Sequence, residues 1–236
     1  MHINIAPTKT EVAKNFSDYL EELIKENNTT HIALSGGSTP KVVFDYMAEH
    51  YKDVDWSTVH LYWGDERCVP PTDSESNYKM TVDHLLSKID IPKDNIHRVL
   101  GEDIPELEAG RYGKILEEEL PIVNNIPQFD LVILGMGDDG HTASIFPHEI
   151  GLWDSTNNCE VAIHPDSGQR RITITGKLIN NAKTVAFLVT GSSKAEKVRT
   201  ILTKEEGHEN YPASLVAPSS GELIWFLDEE AAAQIN

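Results

Sequence analysis

Short apolar runs alternate with amphipathic stretches along most of this chain, and this alternation constrains its fold more than any other feature. The apolar runs, each short enough for one buried strand, are HIAL (31–34), VHLYW (59–63), DLVILG (130–135), RITIT (171–175), TVAFLVTG (184–191) and LIWFL (223–227). Between them, apolar residues spaced by three and four predict helices over 8–27, 41–51, 76–88, 106–120 and 194–202. Strands that alternate with helices are typical of an α/β fold with a mostly parallel, doubly wound sheet and helices on both faces.

No Gly/Ser linker or repeat divides the chain, so we expect residues 1–236 to form one domain. The polar segment 151–168 is expected to be an irregular excursion at the surface. In such sheets, ligands bind outside the carboxyl ends of the strands, which directs attention to the loops there.

Composition excludes several classes of protein. The chain has 236 residues, with 20 Lys+Arg against 38 Asp+Glu, a formal charge of −18 that disfavours nucleic-acid binding. No apolar run approaches the roughly 20 residues that span a bilayer, and no secretory signal opens the sequence. Two cysteines without a CxxC spacing indicate reduced thiols in a cytoplasmic protein. Neither HExxH nor Cys/His metal spacing occurs, so no metal is expected.

The run SGGSTP follows the first predicted strand and opens a helix, as an anion-binding loop does. Gly36 and Gly37 let backbone N–H groups approach an anion, and Ser35, Ser38 and Thr39 add hydroxyls. Ser38 or Thr39 is also expected to cap the following helix. A tight strand-to-helix turn without ligand remains the alternative interpretation. The loop is not a Walker A motif, because GxxxxGK[ST] is absent.

The run ILGMGDDGHTASIFP is the most informative part of the sequence. Its glycines predict a sharp bend after a buried strand, and His141 stands where a helix is expected to begin. A histidine in such a loop is suited to proton transfer near neutral pH. Asp139, two residues earlier, either orients the imidazole or only forms the turn. The alternative interpretation is that His141 caps a helix or belongs to the core.

Three cations belong to predicted strand-end regions, namely Arg67 in GDER, Arg171 in RRITIT and Lys194 in GSSKAEKV. Each alone is consistent with a solvated surface charge, and Arg67 with a self-paired Asp–Glu–Arg cluster. Arg171 stands at the start of its strand, which suits the site only if that strand runs antiparallel. In so acidic a chain, their coincidence with the SGGST loop predicts an anion site.

Together these motifs resemble those of the 6-phosphogluconolactonases. SGGSTP, WGDERCVPPTDSESNY, GMGDDGHTASIFP, RRITIT, GSSKAEKV and YPASLV follow in that family's order and spacing, across about residues 32–216. In the related glucosamine-6-phosphate deaminases, the segment around the corresponding histidine resembles GHIAFNEP, whereas this chain has GHTASIFP there. In YPASLV, Ser214 stands where many family members have glutamine, so this stretch is assigned no role.

The resemblance implies hydrolysis of 6-phospho-D-glucono-1,5-lactone to 6-phosphogluconate, without cofactor or metal. His141 would activate the water, Arg67 or glycine-loop N–H groups would stabilise the oxyanion, and the SGGST loop with Arg171 and Lys194 would hold the phosphate. Arg170 precedes Arg171, so Arg171 is chosen only by its position before Ile172. Two alternatives remain open: a deaminase or isomerase in which Asp65 abstracts a proton, and a non-catalytic sugar-phosphate sensor.

Overall fold

The computed structural model describes residues 1–235, and its centre is a seven-stranded sheet in which every pair of neighbouring strands is parallel. The described residues form the strands β1 (His2–Ala6), β2 (Thr30–Leu34), β3 (Val59–Trp63), β4 (Asp65–Arg67), β5 (Ile96–His97), β6 (Ile122–Val123), β7 (Ile126–Pro127), β8 (Leu131–Leu134), β9 (Cys159–Ile163), β10 (Arg170–Ile174), β11 (Thr184–Val189) and β12 (Glu222–Asp228). The central order is β1-β12-β11-β8-β2-β3-β5.

Helices surround this sheet, and the predicted α/β class with a mostly parallel sheet is confirmed. They are α1 (Lys9–Glu26), α2 (Ser38–His50), α3 (Asn77–Thr81), which continues into a π-helical turn at Val82–Leu86, α4 (Pro105–Glu119), α5 (Gly176–Asn181) and α6 (Ala195–Leu202). Among residues 1–235, no helix combines the length and apolar character needed to cross a membrane.

The core lies on both faces of the sheet because successive side chains of a strand point to opposite sides. Phe226 meets Phe16 of α1 edge to face, with ring centroids 5.3 Å apart. Its neighbour Trp225 stacks on Phe187 of β11 at 4.0 Å on the other side. Strands β11 and β12 are therefore apolar almost throughout, and for this reason both could be recognised in the sequence.

The direction of chain progression reverses between β2 and β8. From β2 the chain proceeds outward to β3 and β5, and from β8 it proceeds the other way to β11 and β12. The Asp130 carboxylate, just before β8, accepts a 2.8 Å hydrogen bond from the backbone N–H of His31 and joins the two strands. The loops after β2 and β8 diverge at their carboxyl ends, which creates the crevice where α/β proteins bind ligands.

A second, antiparallel sheet has the order β4-β10-β9 and lies outside the central one. The RITIT strand therefore belongs to this small sheet and runs antiparallel, the condition under which Arg171 suits the site. The interpretation of segment 151–168 as irregular was wrong in part, because it contains β9. Val161 and Ile163 alternate there with more polar neighbours, a weak signal in five residues.

Candidate active site

A cavity of about 210 Å³ opens at the carboxyl ends of the central strands. Segments after β2, β8 and β11 line it together with β4 and β10, and every residue predicted for the site except Asp139 is in its wall. Those wall residues are Ser35, Gly36, Gly37, Ser38, Thr39, Arg67, His141, Arg171 and Lys194. Asp139 is not part of the wall, but its carboxylate contacts the His141 ring.

The SGGST loop presents backbone N–H groups to the cavity. Helix α2 begins at Ser38, with Gly37 as its N-cap at φ +109°, and no side chain caps it. The prediction that Ser38 or Thr39 caps the helix was wrong, because the glycine occupies the cap and Thr39 instead contacts the Thr190 hydroxyl at 2.8 Å. The uncapped first turn of a 13-residue helix attracts an anion.

Gly36 is needed for a close approach within this loop. A Cβ atom at this position would stand 1.9 Å from the Asn77 Oδ1 atom. Asn77 is buried and donates from Nδ2 to the Asp65 carbonyl oxygen at 2.9 Å, so its amide is fixed. The absence of a side chain at Gly36 therefore lets α3 and the loop meet at the cavity wall.

Two arginine side chains lie in the part of the cavity wall formed by the small sheet. Arg67 of β4 and Arg171 of β10 are direct cross-strand partners in the antiparallel sheet. Among residues 1–235, neither lies within 4.0 Å of a carboxylate oxygen. Arg67 donates to the Glu75 carbonyl oxygen at 2.6 Å and Arg171 to the Gln169 side-chain oxygen at 3.1 Å.

Like charges placed directly opposite on a sheet destabilise it unless something compensates them. Burial and the neighbouring charge of Arg67 lower the pKa of Arg171, although a guanidinium stays protonated at neutral pH. Arg170 has a different environment, since its side chain forms a surface ion pair with Glu106. Of the two adjacent arginines, Arg171 is thus the one in the cavity wall.

Two lysines complete the positive charge around the loop. Lys194, in the turn after β11, forms a 2.6 Å ion pair with Asp138, and this hydrogen bond lowers the pKa of the Asp138 carboxyl. Lys9, at the start of α1, donates to the Ser38 hydroxyl at 3.1 Å. Lys9 was missed in the sequence because nothing near it marks an anion site.

His141 and Asp139 form a tight pair in the glycine-rich loop after β8. The Asp139 Oδ1 atom accepts from the His141 backbone N–H at 3.1 Å and lies 2.6 Å from ring atom Nδ1. A Cβ at Gly137 would stand 2.2 Å from that same ring atom, so glycine makes room for the imidazole. The helix expected at His141 is absent, because Thr142 instead bridges to Ile145.

The protonation state of Asp139 determines the tautomer of the imidazole. Partial burial opposes ionisation, but the hydrogen bonds and charge of His141 outweigh it and lower the pKa of Asp139 to about 2. An ionised carboxylate can only accept hydrogen bonds. The Nδ1 atom therefore carries the proton in neutral His141, and the Nε2 lone pair is available to take another. Asp139 thus contacts both the backbone and the ring of His141.

Comparison with known proteins assigns this chain to a family. The sequence model described as "Glucosamine-6-phosphate isomerases/6-phosphogluconolactonase" matches residues 6–225. The chain belongs to this family. The curated 6-phosphogluconolactonase of Treponema pallidum is 45% identical over 190 residues, which cover 80% of this chain and 78% of the relative. That of Haemophilus influenzae is 45% identical over 207 residues, or 87% of each chain. The crystal structure of a protein titled devB superposes with a TM-score of 0.94 at 43% identity, over 100% of this chain and 99% of the other.

Three buried residues of this family member connect its walls but were not among the predicted site residues. Asp65 accepts from the Ser144 hydroxyl at 2.6 Å and faces the Asn77 amide at 3.3 Å. Ser144 follows Ala143, a residue of the cavity wall with a positive φ of +48°. Asp65 was considered in the sequence only as the proton-abstracting base of the alternative deaminase or isomerase function. Ser144 and Asn77 carried no such signal, since small polar residues abound in the chain.

Metal ligands do not cluster in the part of the chain that the structure describes. Among residues 1–235, no group of three or more His, Cys, Asp or Glu side chains is arranged to hold an ion.

Proposed function

We propose that this protein hydrolyses 6-phospho-D-glucono-1,5-lactone to 6-phosphogluconate in the oxidative pentose phosphate pathway. Two curated relatives that are 45% identical to this chain bear the name 6-phosphogluconolactonase, and the matches cover four fifths or more of this chain. The observation that carries the proposal is that His141, hydrogen-bonded by Asp139, shares one cavity with Arg67 and Arg171, which have no carboxylate partner among residues 1–235. A phosphorylated ester needs both kinds of group.

The phosphate is held at the SGGST side of the cavity in this proposal. The N–H groups at the start of α2 supply donors, and Arg171 and Lys194 supply charge-assisted hydrogen bonds. Fixing the phosphate places the lactone carbonyl beside His141. Positioning of this kind lowers reaction barriers by up to about 7–11 kcal/mol.

Neutral His141 then acts as the general base. Its Nε2 atom takes a proton from water while the water oxygen bonds to the lactone carbonyl carbon. The tetrahedral oxyanion collapses, the bond from that carbon to the ring oxygen breaks, and the imidazolium returns its proton to the departing oxygen. Asp139 keeps the ring oriented and stabilises the imidazolium.

The oxyanion requires preorganised donors. Arg67 lines the cavity, and its guanidinium has five N–H donors, of which Nη1 binds the Glu75 carbonyl oxygen. Backbone N–H groups of the glycine-rich loop are the other candidates. Arg67 thus has an available donor for the charge that develops during attack.

The reaction implies a small sugar-phosphate partner and a cytoplasmic setting. Cys68 and Cys159 are both free, as expected where thiols stay reduced. The charge of −18 disfavours a nucleic-acid partner.

Lactone turnover measured against spontaneous hydrolysis tests the proposal. The wild type is expected to accelerate hydrolysis, and His141→Ala to lose about 10²–10⁴-fold in kcat with KM nearly unchanged, because only the base is removed. His50→Ala, on the exposed side of α2, serves as the matched control and is expected to retain full activity. A folded and fully active His141→Ala would contradict the mechanism. Ammonia release from glucosamine 6-phosphate would instead favour the deaminase reaction.

A further inference from the structure

One carboxylate lines the cavity that otherwise collects positive charge. Among the described residues in its wall, Asp65 is the only Asp or Glu, beside Arg67, Arg171 and Lys194. Asp65 is only 6% exposed, so its charge is poorly screened by solvent. The mechanism above uses the three cations and His141 but leaves this acidic group without a role.

Asp65 is firmly held yet retains capacity to accept hydrogen bonds. Its Oδ2 atom accepts from the Ser144 hydroxyl at 2.6 Å, and its Oδ1 atom has only a long contact of 3.3 Å with the Asn77 amide. No Lys, Arg or His nitrogen of residues 1–235 lies within the 4.0 Å of an ion pair. A carboxylate offers about four acceptor positions, so roughly half of them remain open.

A buried negative charge repels a phosphate dianion and the oxyanion of the reaction. The carboxylate therefore suits only the neutral part of a bound sugar phosphate. Between the phosphate and the carbonyl, a six-carbon lactone carries hydroxyl groups, which are good donors to an ionised acceptor. The place of Asp65 on β4, two residues from Arg67 and tied to the His141 loop through Ser144, lies between the two ends of the site.

We propose that the Asp65 carboxylate accepts a hydrogen bond from a ring hydroxyl of the lactone and thereby selects hydroxylated sugar lactones over deoxy analogues. This inference rests on the proposed lactonase function and adds a specificity-determining residue to it. Asp65 accepts the hydroxyl proton without removing it, so no covalent bond changes at this residue.

Two other roles for Asp65 make different predictions. A purely structural carboxylate, which only anchors Ser144 and Asn77, would affect all substrates by the same factor. A proton-abstracting base would exchange the hydrogen next to the carbonyl with solvent.

The first experiment uses the wild type alone. Phosphorylated lactones that each lack one hydroxyl, at C2, C3 or C4, are compared with the parent lactone after subtraction of spontaneous hydrolysis. We expect one analogue to lose about 10- to 150-fold in kcat/KM, the contribution of a hydrogen bond to a charged group. Equal kcat/KM for all four lactones would overturn the proposal, and this measurement requires no variant to fold.

The second experiment uses Asp65→Asn, which preserves the shape of the side chain and removes its charge. We expect it to lose a similar factor on the parent lactone and to hydrolyse the sensitive analogue no worse than the parent. Asp139→Asn is the matched control, since it acts through His141 and is expected to keep the wild-type discrimination between substrates. A uniform loss on all substrates by Asp65→Asn would overturn the proposal, as would deuterium at C2 of the product formed in D₂O.

Failure of the proposed function would be visible separately. If the wild type does not hydrolyse the parent lactone above background, the lactonase reaction fails. Calorimetric binding of 6-phosphogluconate and its deoxy acids then still tests Asp65. Weaker binding of one deoxy acid by the wild type, but not by Asp65→Asn, supports the contact, and equal binding overturns it.

Discussion

Arg171 and Arg170 are neighbours in sequence with opposite environments. Arg171 lies in the cavity wall, whereas Arg170 pairs with Glu106 at the surface. Successive residues of a strand point to opposite sides, so only one of two adjacent arginines can enter the site. This pair offers a test in which charge and position along the chain are almost the same.

We expect Arg171→Gln to raise KM for the lactone by about 10- to 150-fold, because it removes a charged donor to the phosphate. Arg170→Gln is expected to leave KM unchanged, since exposed ion pairs contribute little. Steady-state kinetics of the two variants provide the measurement. A similar rise in KM for both would mean that general attraction, rather than a specific contact, determines affinity.

The sequence indicated the candidate reactive residues more readily than the residues that contact and support them. His141 and Asp139 stand in a glycine-rich loop after a buried strand. A histidine in such a loop has few purely structural roles. Ser144, Asn77 and Lys9 act through contacts between distant segments, and local patterns do not encode such contacts. The cap of α2 was assigned to the wrong residue because Ser38 and Thr39 are better cap formers than Gly37 in general.

At the scale of elements, the junction of the SGGST loop and α3 depends on the missing side chain of Gly36. We expect Gly36→Ala to raise KM and to lower the free energy of unfolding by about 1–3 kcal/mol, since its methyl group must displace the buried Asn77 amide. Kinetics and urea denaturation of the variant measure the two effects.

Gly110→Ala provides the matched control for that prediction. Gly110 lies inside α4, and no atom stands within 4 Å of the position its Cβ would occupy. Alanine there is expected to raise the free energy of unfolding by about 0.5–1 kcal/mol without changing KM. Unchanged stability of Gly36→Ala would show that the loop adapts to the side chain.

The central strands were predictable because parallel strands are buried on both sides and read as continuous apolar runs. β1 escaped notice: its two isoleucines, Ile3 and Ile5, are exposed, and it lies at the sheet edge. β4 has only three residues, too few for any periodicity to appear. Of the short antiparallel sheet that carries both site arginines, only β10 was therefore predicted from the sequence, as the run RITIT.

At the scale of the whole molecule, three histidines pack together at the amino-terminal side of the central sheet. His60 Nδ1 lies 3.1 Å from His97 Nε2, and His31 Nδ1 lies 3.3 Å from the Tyr62 hydroxyl. Burial lowers the pKa of all three imidazoles below the ordinary value of 6.5. The charge of Glu119 raises these pKa values, but by less than burial lowers them.

This cluster makes stability depend on pH. Because the pKa values are lower in the folded protein, the unfolded chain binds more protons below about pH 6.5. The stabilisation is complete above that pH and is lost as the pH falls through the folded-state pKa values. We expect the free energy of unfolding, measured by urea denaturation, to fall as the pH decreases below about 6.5.

His97→Gln is expected to reduce that slope, because one buried imidazole no longer needs to be charged. His50→Gln is the matched control, since His50 is exposed and should leave the slope unchanged. The same slope in wild type and His97→Gln would assign the acid sensitivity to other groups.

β2 and β8 are neighbours in the sheet, yet the hydrogen-bonded residues His31 and Asp130 stand 99 positions apart in the chain. Strand pairings between such remote segments form slowly, because a long loop must close, at an entropic cost, before any contact stabilises it. A nascent polypeptide that has emerged only as far as β5 already contains the SGGST loop but lacks the segments that complete the cavity. The cavity is therefore completed late in synthesis, after β8, β10 and β11 have brought His141, Arg171 and Lys194 to a loop made long before.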